Sequence, residues 1–339
     1  MLILGIESSC DETAVALVEN GKTVVGSLVH SQIDTHKVFG GVVPEVAARE
    51  HLKYIDPLMR ELLEKSGKTI QDVDAIAVTQ GPGLIGALLV GISYAKALAS
   101  ATEKPLIPIN HVHAHVHGAL LGVEESHDNL FPLLALVVSG GHTNLYYMAR
   151  PNTFELIAYS IDDACGESFD KVAKLFKLGY PGGPIVEKTA STGKIDRFEM
   201  PKMMNDASKM LFSYSGLKTH MVNLRHRLRD TLTQTDIADL CAGFQNEALG
   251  QIVRKLKSAS RSYPNAKSIL ISGGVAANQQ FRKLTNQQLS LPVFFPDLRY
   301  CSDNAAMIAA LAYHEFIAAR DEEHKFSFYN WDAFSRYQF

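Results

Sequence analysis

At 339 residues the chain is long enough for two domains, each with its own core. Hydrophobic residues make up 46% and charged residues 20%, and 33 basic against 36 acidic side chains leave a formal charge of -3. With an isoelectric point near 6.5 and a mean hydropathy of -0.01, the composition excludes a disordered chain and a globally basic nucleic-acid binder. Cys10, Cys165, Cys241 and Cys301 are widely spaced with no Cys-x-x-Cys, the pattern of reduced thiols in a cytoplasmic protein rather than of a disulfide framework.

The first residues, Met1 to Ile6, reach an acid at Glu7 before any basic region or cleavage site, so a strand is expected there and not a signal peptide. Leu2–Glu7 and Thr13–Val18 read as strands joined through the polar Ser8–Glu12, and Asn20-Gly21 is a hairpin turn into a third strand, Thr23–Val29. Beyond a loop through Gly40-Gly41, Val46–Lys65 has helical periodicity, with a break or kink expected at Pro57. A buried strand Ala75–Thr79, the turn Gln80-Gly81-Pro82-Gly83, a helix Leu84–Ala101 and a strand Leu106–Ile109 follow. Gly91, Ser93 and Lys96 cut the Ala-rich helix, and no apolar run is expected to approach membrane length.

Next comes Asn110-His111-Val112-His113-Ala114-His115-Val116-His117. Asn110 is a good N-cap, and a helix starting at His111 stacks His111 over His115 on one face and His113 over His117 on another. A strand would put all the rings on one face. Imidazoles four residues apart form a two-point metal clamp, and a helix N-terminus disfavours imidazolium, which keeps the rings in the ligating form. An ordinary histidine cluster packed by its apolar edges would have the same spacing. A distant carboxylate, Asp303 in Tyr300-Cys301-Ser302-Asp303-Asn304, tilts the reading toward metal.

Around Gly122–Asn129 the sequence turns polar and loses periodicity, which divides the chain into residues 1–125 and 126–339. The second part repeats the plan of the first. Leu133–Ser139, Thr143–Ala149 and Phe154–Tyr159 are strands, with Ser139-Gly140-Gly141-His142 standing where the first domain has Ser8-Ser9-Cys10-Asp11. Ile269–Ser272, Gly273-Gly274 and a helix Ala276–Gln288 then mirror Ala75–Ala101, after a helical insertion of about residues 166–260. Two βββαβαβα domains with such turns make the α/β, actin-like (ASKHA) fold of sugar and acetate kinases and chaperone ATPases, which holds a nucleotide in an interdomain cleft. Whether the last helix packs back on the first domain is left open.

Gly81-Pro82-Gly83-Leu84-Ile85-Gly86 fits the dinucleotide Gly-x-Gly-x-x-Gly pattern. Its strand is not the first of a βαβ series, and the next strand ends at Asn110 where a ribose-binding acid is needed, so neither NAD nor flavin is expected. Asp11 and Glu12 set adjacent carboxylates in a hairpin, where they could orient a metal, a water or a nucleophile. Ser139-Gly140-Gly141 and Ser272-Gly273-Gly274 through Asn278 are the better ligand loops, because paired glycines let backbone amides approach an anion. A zincin is excluded, since Val112 follows His111 where His-Glu-x-x-His needs its base. Lys194, Arg197, Lys202, Lys209, Lys218, Arg225, Arg227, Arg229, Arg254, Lys255 and Lys257 form the one local nucleic-acid footprint.

Five ordered motifs spanning the chain, Gly5-Ile6-Glu7-Ser8-Ser9-Cys10-Asp11-Glu12-Thr13, Asn110–His115, Ser139–Thr143, Phe212-Ser213-Tyr214-Ser215-Gly216-Leu217-Lys218-Thr219 and Tyr300–Asn304, closely resemble the bacterial TsaD family, once labelled O-sialoglycoprotein endopeptidases. The resemblance implies transfer of threonylcarbamoyl from threonylcarbamoyl-AMP to N6 of the adenosine 3′ of the anticodon in tRNAs reading ANN codons, with release of AMP. It implies His111, His115 and Asp303 as ligands of one divalent metal, iron(II) ahead of zinc. It also implies that Val137, Val138, Ser139, Gly140, Gly141, Asp170, Gly183, Glu187 and Asn278 contact the adenylate. Position 187 is usually Asp in the family, and Glu187 keeps the charge while moving the acceptor by one methylene. Asp11 or Glu12 would accept a proton or orient a group. The implied partners are tRNA, the paralogous actin-like TsaB and the ATPase TsaE, with no membrane; Val46–Lys65 is the expected docking face. The rival readings are an actin-like small-molecule kinase using Mg²⁺ and a non-catalytic nucleotide-gated scaffold.

Overall fold

β1 (Leu2–Glu7) is buried at every residue, as an unalternating apolar run requires of a strand covered on both faces. β2 (Glu12–Glu19) and β3 (Thr23–Ser31) follow as antiparallel neighbours. The turn between them needs positive φ, and Asn20 and Gly21 supply it at 53° and 68°. β4 (Ala75–Gly81) and β5 (Leu106–Asn110) join in parallel on the other side of β1, so the sheet runs β3-β2-β1-β4-β5. The computed structural model describes residues 1–121, 123, 127–319 and 331–336.

The expected Gly40-Gly41 loop begins with a short helix, α1 (Ile33–Lys37). α2 (Pro44–Ser66) runs through Pro57 without the expected break. Pro57 sits on the exposed side of the helix, where water can take the carbonyl that lacks its N–H partner. α3 (Ile85–Thr102) packs on α2 and β4. Contrary to expectation, α3 is long and apolar enough by length and composition to cross a membrane, because Gly91 and Ser93 do not offset its Ala, Leu and Ile content. Leu4, Ile6, Val15, Leu17, Ile55, Met59, Leu62, Ile76, Val78, Leu88 and Ile92 make the core between these helices and the sheet. α4 (His111–Leu120) begins where expected, with the Asn110 side chain accepting from the N–H groups of Val112 and His113.

α5 (His127–Leu130) precedes β6 (Leu133–Val138), β7 (Thr143–Met148) and β8 (Glu155–Ser160). Then come α6 (Cys165–Leu175), α7 (Gly182–Ala190), β9 (Leu211–Phe212), α8 (Ser215–Leu228), α9 (Gln234–Ser262), β10 (Ser268–Ser272), α10 (Gln279–Gln288) and β11 (Val293–Phe294). Their sheet, β11-β10-β6-β7-β8-β9, repeats the first one when read from β8 to β11, with β9 as an addition. The expected helix Ala276–Gln288 is two pieces, a 3-10 turn Gly274–Ala277 and α10, because Asn278 leaves the helical region to cap α10.

The chain divides into Met1–Glu125 with Pro296–Phe339, and Ser126–Phe295. The expected second domain, 126–339, is therefore too long. α11 (Ala305–Ala318) packs on β1, β2 and α4 of the first unit. Its buried alanines and Gly5 allow this close approach: a Cβ on Gly5 would lie 2.3 Å from the Ala305 carbonyl oxygen. The expected boundary at Gly122–Asn129 falls partly outside the described residues.

Candidate active site

α4 and the turn before α11 bring His111, His115 and Asp303 together, with one ligand atom from each lying within 4.8 Å of the others. His115 Nε2 is 3.2 Å and His111 Nε2 3.6 Å from Asp303 Oδ1. Both ring nitrogens of His115 are buried without a hydrogen-bond partner, a costly state that a bound cation at Nε2 would relieve. A mixed imidazole and carboxylate donor set suits iron(II) or zinc. The residues therefore fit a metal. His113 and His117 take the other side of α4, as expected; burial drives His113 down to about 4, and the His117 ring lies 5.0 Å from that of His314.

The residue that sequence reasoning missed is Glu7. Fully buried at the end of β1, it accepts at Oε1 from the Ser9 N–H (2.5 Å) and at Oε2 from the Thr79 hydroxyl (2.6 Å). Its Oε2 also lies 3.0 Å from His111 Nδ1, which leaves Nε2 of that ring facing Asp303. A carboxylate behind an imidazole fixes the ring and raises its basicity. The available signal was the single acid closing the all-apolar run Leu2–Ile6.

At His111 the charges of Glu7 and Asp303 work against the helix N-terminus. Burial pushes the pKa of the ring down, but Glu7 and Asp303 outweigh burial and lift it to about 9. Burial raises the Glu7 carboxyl, and the charge and hydrogen bond of His111 more than reverse that. A proton and a cation thus compete for His111. Asp11 and Glu12 belong to the same electrostatic neighbourhood. Burial first, then Asp303 and Asp11, push Glu12 up to about 10, so at neutral pH it holds its proton in this setting; a cation at the triad would oppose the same crowding.

In the second unit, the Ser139 hydroxyl accepts from the N–H groups of Gly141 (3.3 Å) and His142 (3.1 Å). Gly140 and Gly141 are exposed, with open space where side chains would stand. β6 and β10 are parallel neighbours, so this loop and the one after β10 emerge side by side. Gly273 has φ +89° and comes so near β6 that a Cβ would be 2.5 Å from the Val138 carbonyl oxygen, a position only glycine fits. Val137 and Val138 are buried in β6. Asp170 Oδ1 accepts from the Gly182 N–H at 2.7 Å, and Gly183 is open. Glu187 Oε1 accepts from the Gln279 N–H at 2.7 Å. Asn278 caps α10 through the Phe281 N–H and donates to Gln245 Oε1. These side chains build the loop scaffold, while the exposed Gly140, Gly141 and open Gly183 present backbone.

The basic footprint is partly spent internally. Lys218 pairs with Asp163, Arg254 with Glu247, and Lys255 donates to the carbonyls of Asp206 and Lys209.

The family profile described as "TsaD: tRNA N6-adenosine threonylcarbamoyltransferase" matches residues 23–310. The chain belongs to the TsaD family. The tRNA N6-adenosine threonylcarbamoyltransferase of Syntrophomonas wolfei is 46% identical over 93% of this chain and 92% of its own length. That of Bacillus subtilis is 45% identical over 91% and 89%. Membership makes the chain a transferase that modifies N6 of an adenosine in tRNA, and neither the kinase nor the scaffold reading is favoured. Among solved structures, HypF of T. kodakarensis has a TM-score of 0.61 at 14% identity, covering 94% of this chain and 48% of HypF. Component A of the Acidaminococcus fermentans (R)-2-hydroxyglutaryl-CoA dehydratase has a TM-score of 0.54 at 13% identity, covering 93% and 98%. Such neighbours establish the actin-like fold.

Proposed function

We propose that the chain transfers threonylcarbamoyl from threonylcarbamoyl-AMP to N6 of the adenosine 3′ of the anticodon in tRNAs reading ANN codons, releasing AMP, and that His111, His115 and Asp303 hold one divalent metal, iron(II) or zinc. The observation that carries the metal reading is the unpartnered, buried His115 ring beside Asp303 and a His111 backed by Glu7. The adenine amine is a weak nucleophile, so the mixed anhydride must supply the driving force. A cation in the triad would act as a Lewis acid toward the donor's oxygens. Glu7 holds the His111 ring, and the exposed amide of Gly140, joined by that of Gly141 once it leaves the Ser139 hydroxyl, would receive phosphate charge. The scaffold of Val137, Val138, Ser139, Asp170, Gly183, Glu187 and Asn278 shapes the seat for the nucleotide half. Asp11 or Glu12 orients a reacting group or, as the carboxylate, accepts a proton.

The partners in this reading are TsaB and TsaE in the cytoplasm. An apolar groove of about 490 Å³ between α2 and α3, lined by Leu52, Ile55, Leu89, Val90, Ser93 and Tyr94, supports docking of TsaB on the α2 face. The test supplies the chain and its partners with preformed threonylcarbamoyl-adenylate and unmodified tRNA, and measures modified adenosine and AMP. Transfer supports the reading; product undiminished by His111→Ala with His115→Ala would refute the metal's role.

A further inference from the structure

The turn Ser8–Glu12, which carries Asp11 and Glu12, is held from outside by three different elements. The Ser8 hydroxyl donates to the Ala87 carbonyl of α3 (3.0 Å), and the Leu84 N–H donates to the Ser9 carbonyl (2.8 Å). The Gln32 N–H donates to the Asp11 carbonyl (2.9 Å). Between them, the Cys10 carbonyl lies 3.1 Å from Nε2 of His51, a fully buried residue of α2. Three successive carbonyls are thus each tied to a separate support, and the middle tie is the one made by a side chain.

The direction of this tie is determined from both ends. A carbonyl only accepts, so His51 Nε2 carries the proton. Its Nδ1, 2.7 Å from the Thr13 hydroxyl and 3.5 Å from Gln32 Nε2, is then the acceptor of a neutral ring. At the far end, the Val43 N–H can only donate, and it reaches His36 Nδ1 at 3.3 Å. His36 Nε2 therefore donates to Gln32 Oε1 (3.1 Å), which turns the amide nitrogen of Gln32 toward Ala47 and His51. A one-way series of donors runs from the backbone that opens α2, through His36, Gln32 and His51, to the turn beside Asp303.

We propose that His51 is a positioning residue for the transfer reaction: through its Nε2 proton it sets the height of the Cys10 peptide and so aims Asp11 and Glu12 at the triad. This rests on the reading of Asp11 and Glu12 given above, and it concerns a residue that touches neither substrate nor metal. A ring that only filled space would show its loss in stability, more for the smaller Asn than for Gln, with activity falling only as far as Tm does. A positioning ring would separate the two amides in activity beyond that, because Gln can present its amide nitrogen where Nε2 stands, whereas Asn reaches only to Nδ1.

The experiment compares wild type, His51→Gln and His51→Asn, full-length and with partners, on preformed threonylcarbamoyl-adenylate and unmodified tRNA. Metal content and Tm are measured alongside. An inactive wild type would defeat the functional reading and not this one. With wild type active, the expected result is that His51→Asn loses on the order of 100-fold in kcat with KM for tRNA unchanged, while His51→Gln stays within about tenfold of wild type. Equal activity of the two variants, or losses that follow Tm alone, would overturn the inference. Should either variant fail to fold, long-range proton–nitrogen spectra of ring-labelled wild type decide: a neutral ring protonated at Nε2 supports the role, and an Nδ1 tautomer or an imidazolium overturns it.

Discussion

Glu7 does more for the candidate metal centre than its place in the sequence suggests. Without it, His111 would lose both its orientation and the charge that offsets its burial. Glu7→Gln should therefore weaken metal binding by about 10–100-fold, measured by competition with a chelator of known affinity, at some cost in stability because Gln can accept from Thr79 or from the Ser9 N–H but not from both. Unchanged affinity would remove Glu7 from the site. A second residue-scale expectation concerns Gly273. A methyl group there must fit a positive φ and a contact of 2.5 Å to the Val138 carbonyl oxygen, so Gly273→Ala should cost about 1–3 kcal/mol or more, read from denaturant unfolding. Gly140→Ala is the control, since open space surrounds that position.

Among the elements, α2 shows how exposure decides what a helix tolerates. Pro57 is on its wet side, so its cost is a lost backbone bond and not a break. Pro57→Ala should stabilise the chain by about 2 kcal/mol, less the entropy that proline removes from the unfolded state. On another face, α2 carries Leu52, 66% exposed at the lip of the α2–α3 groove. On the proposal that TsaB docks here, Leu52→Asp should abolish its copurification and leave Tm unmoved, and a stable complex with this variant would count against that docking face. The segment between β9 and α8 is tied to Asp162, which accepts from the hydroxyls of Ser213 and Ser215 and the Tyr214 N–H. Burial raises the Asp162 carboxyl, but these bonds outweigh it and hold the group below its ordinary value of 3.8. Its stabilisation is therefore complete above that value and is lost as pH falls through the lower folded one. Acid unfolding should begin below about pH 4, and Asp162→Asn should flatten that part of the Tm profile.

For the whole molecule, the discontinuous first unit has a direct consequence. α11 supplies buried surface against β1, β2 and α4, so residues 1–125 alone would expose apolar faces. That fragment should aggregate, whereas coexpression with residues 296–339 should give soluble protein with helical circular dichroism. The continuous fragment 126–295 should fold on its own, with its sheet and helices all included.

Much of this was legible because the signals are local. The hairpin at Asn20-Gly21, the cap at Asn110 and the strand runs of both sheets other than β9 and β11 depend on neighbours a few residues away, and they emerged within a residue or two of where periodicity puts them. Architecture followed, since the βββαβαβα order leaves few ways to pair strands, and the i, i+4 spacing of His111 and His115 follows from helix geometry alone. The family motifs also carried Asp303 to the same site in advance. What tertiary structure decided was everything set by contacts across long stretches of chain: Glu7 behind His111, the two carboxylates that raise the pKa of that ring, His51 beneath Cys10, and the return of α11 to β1. These depend on which groups share a buried, low-dielectric space, and such proximity arises only once the sheet has formed and the helices have closed over it.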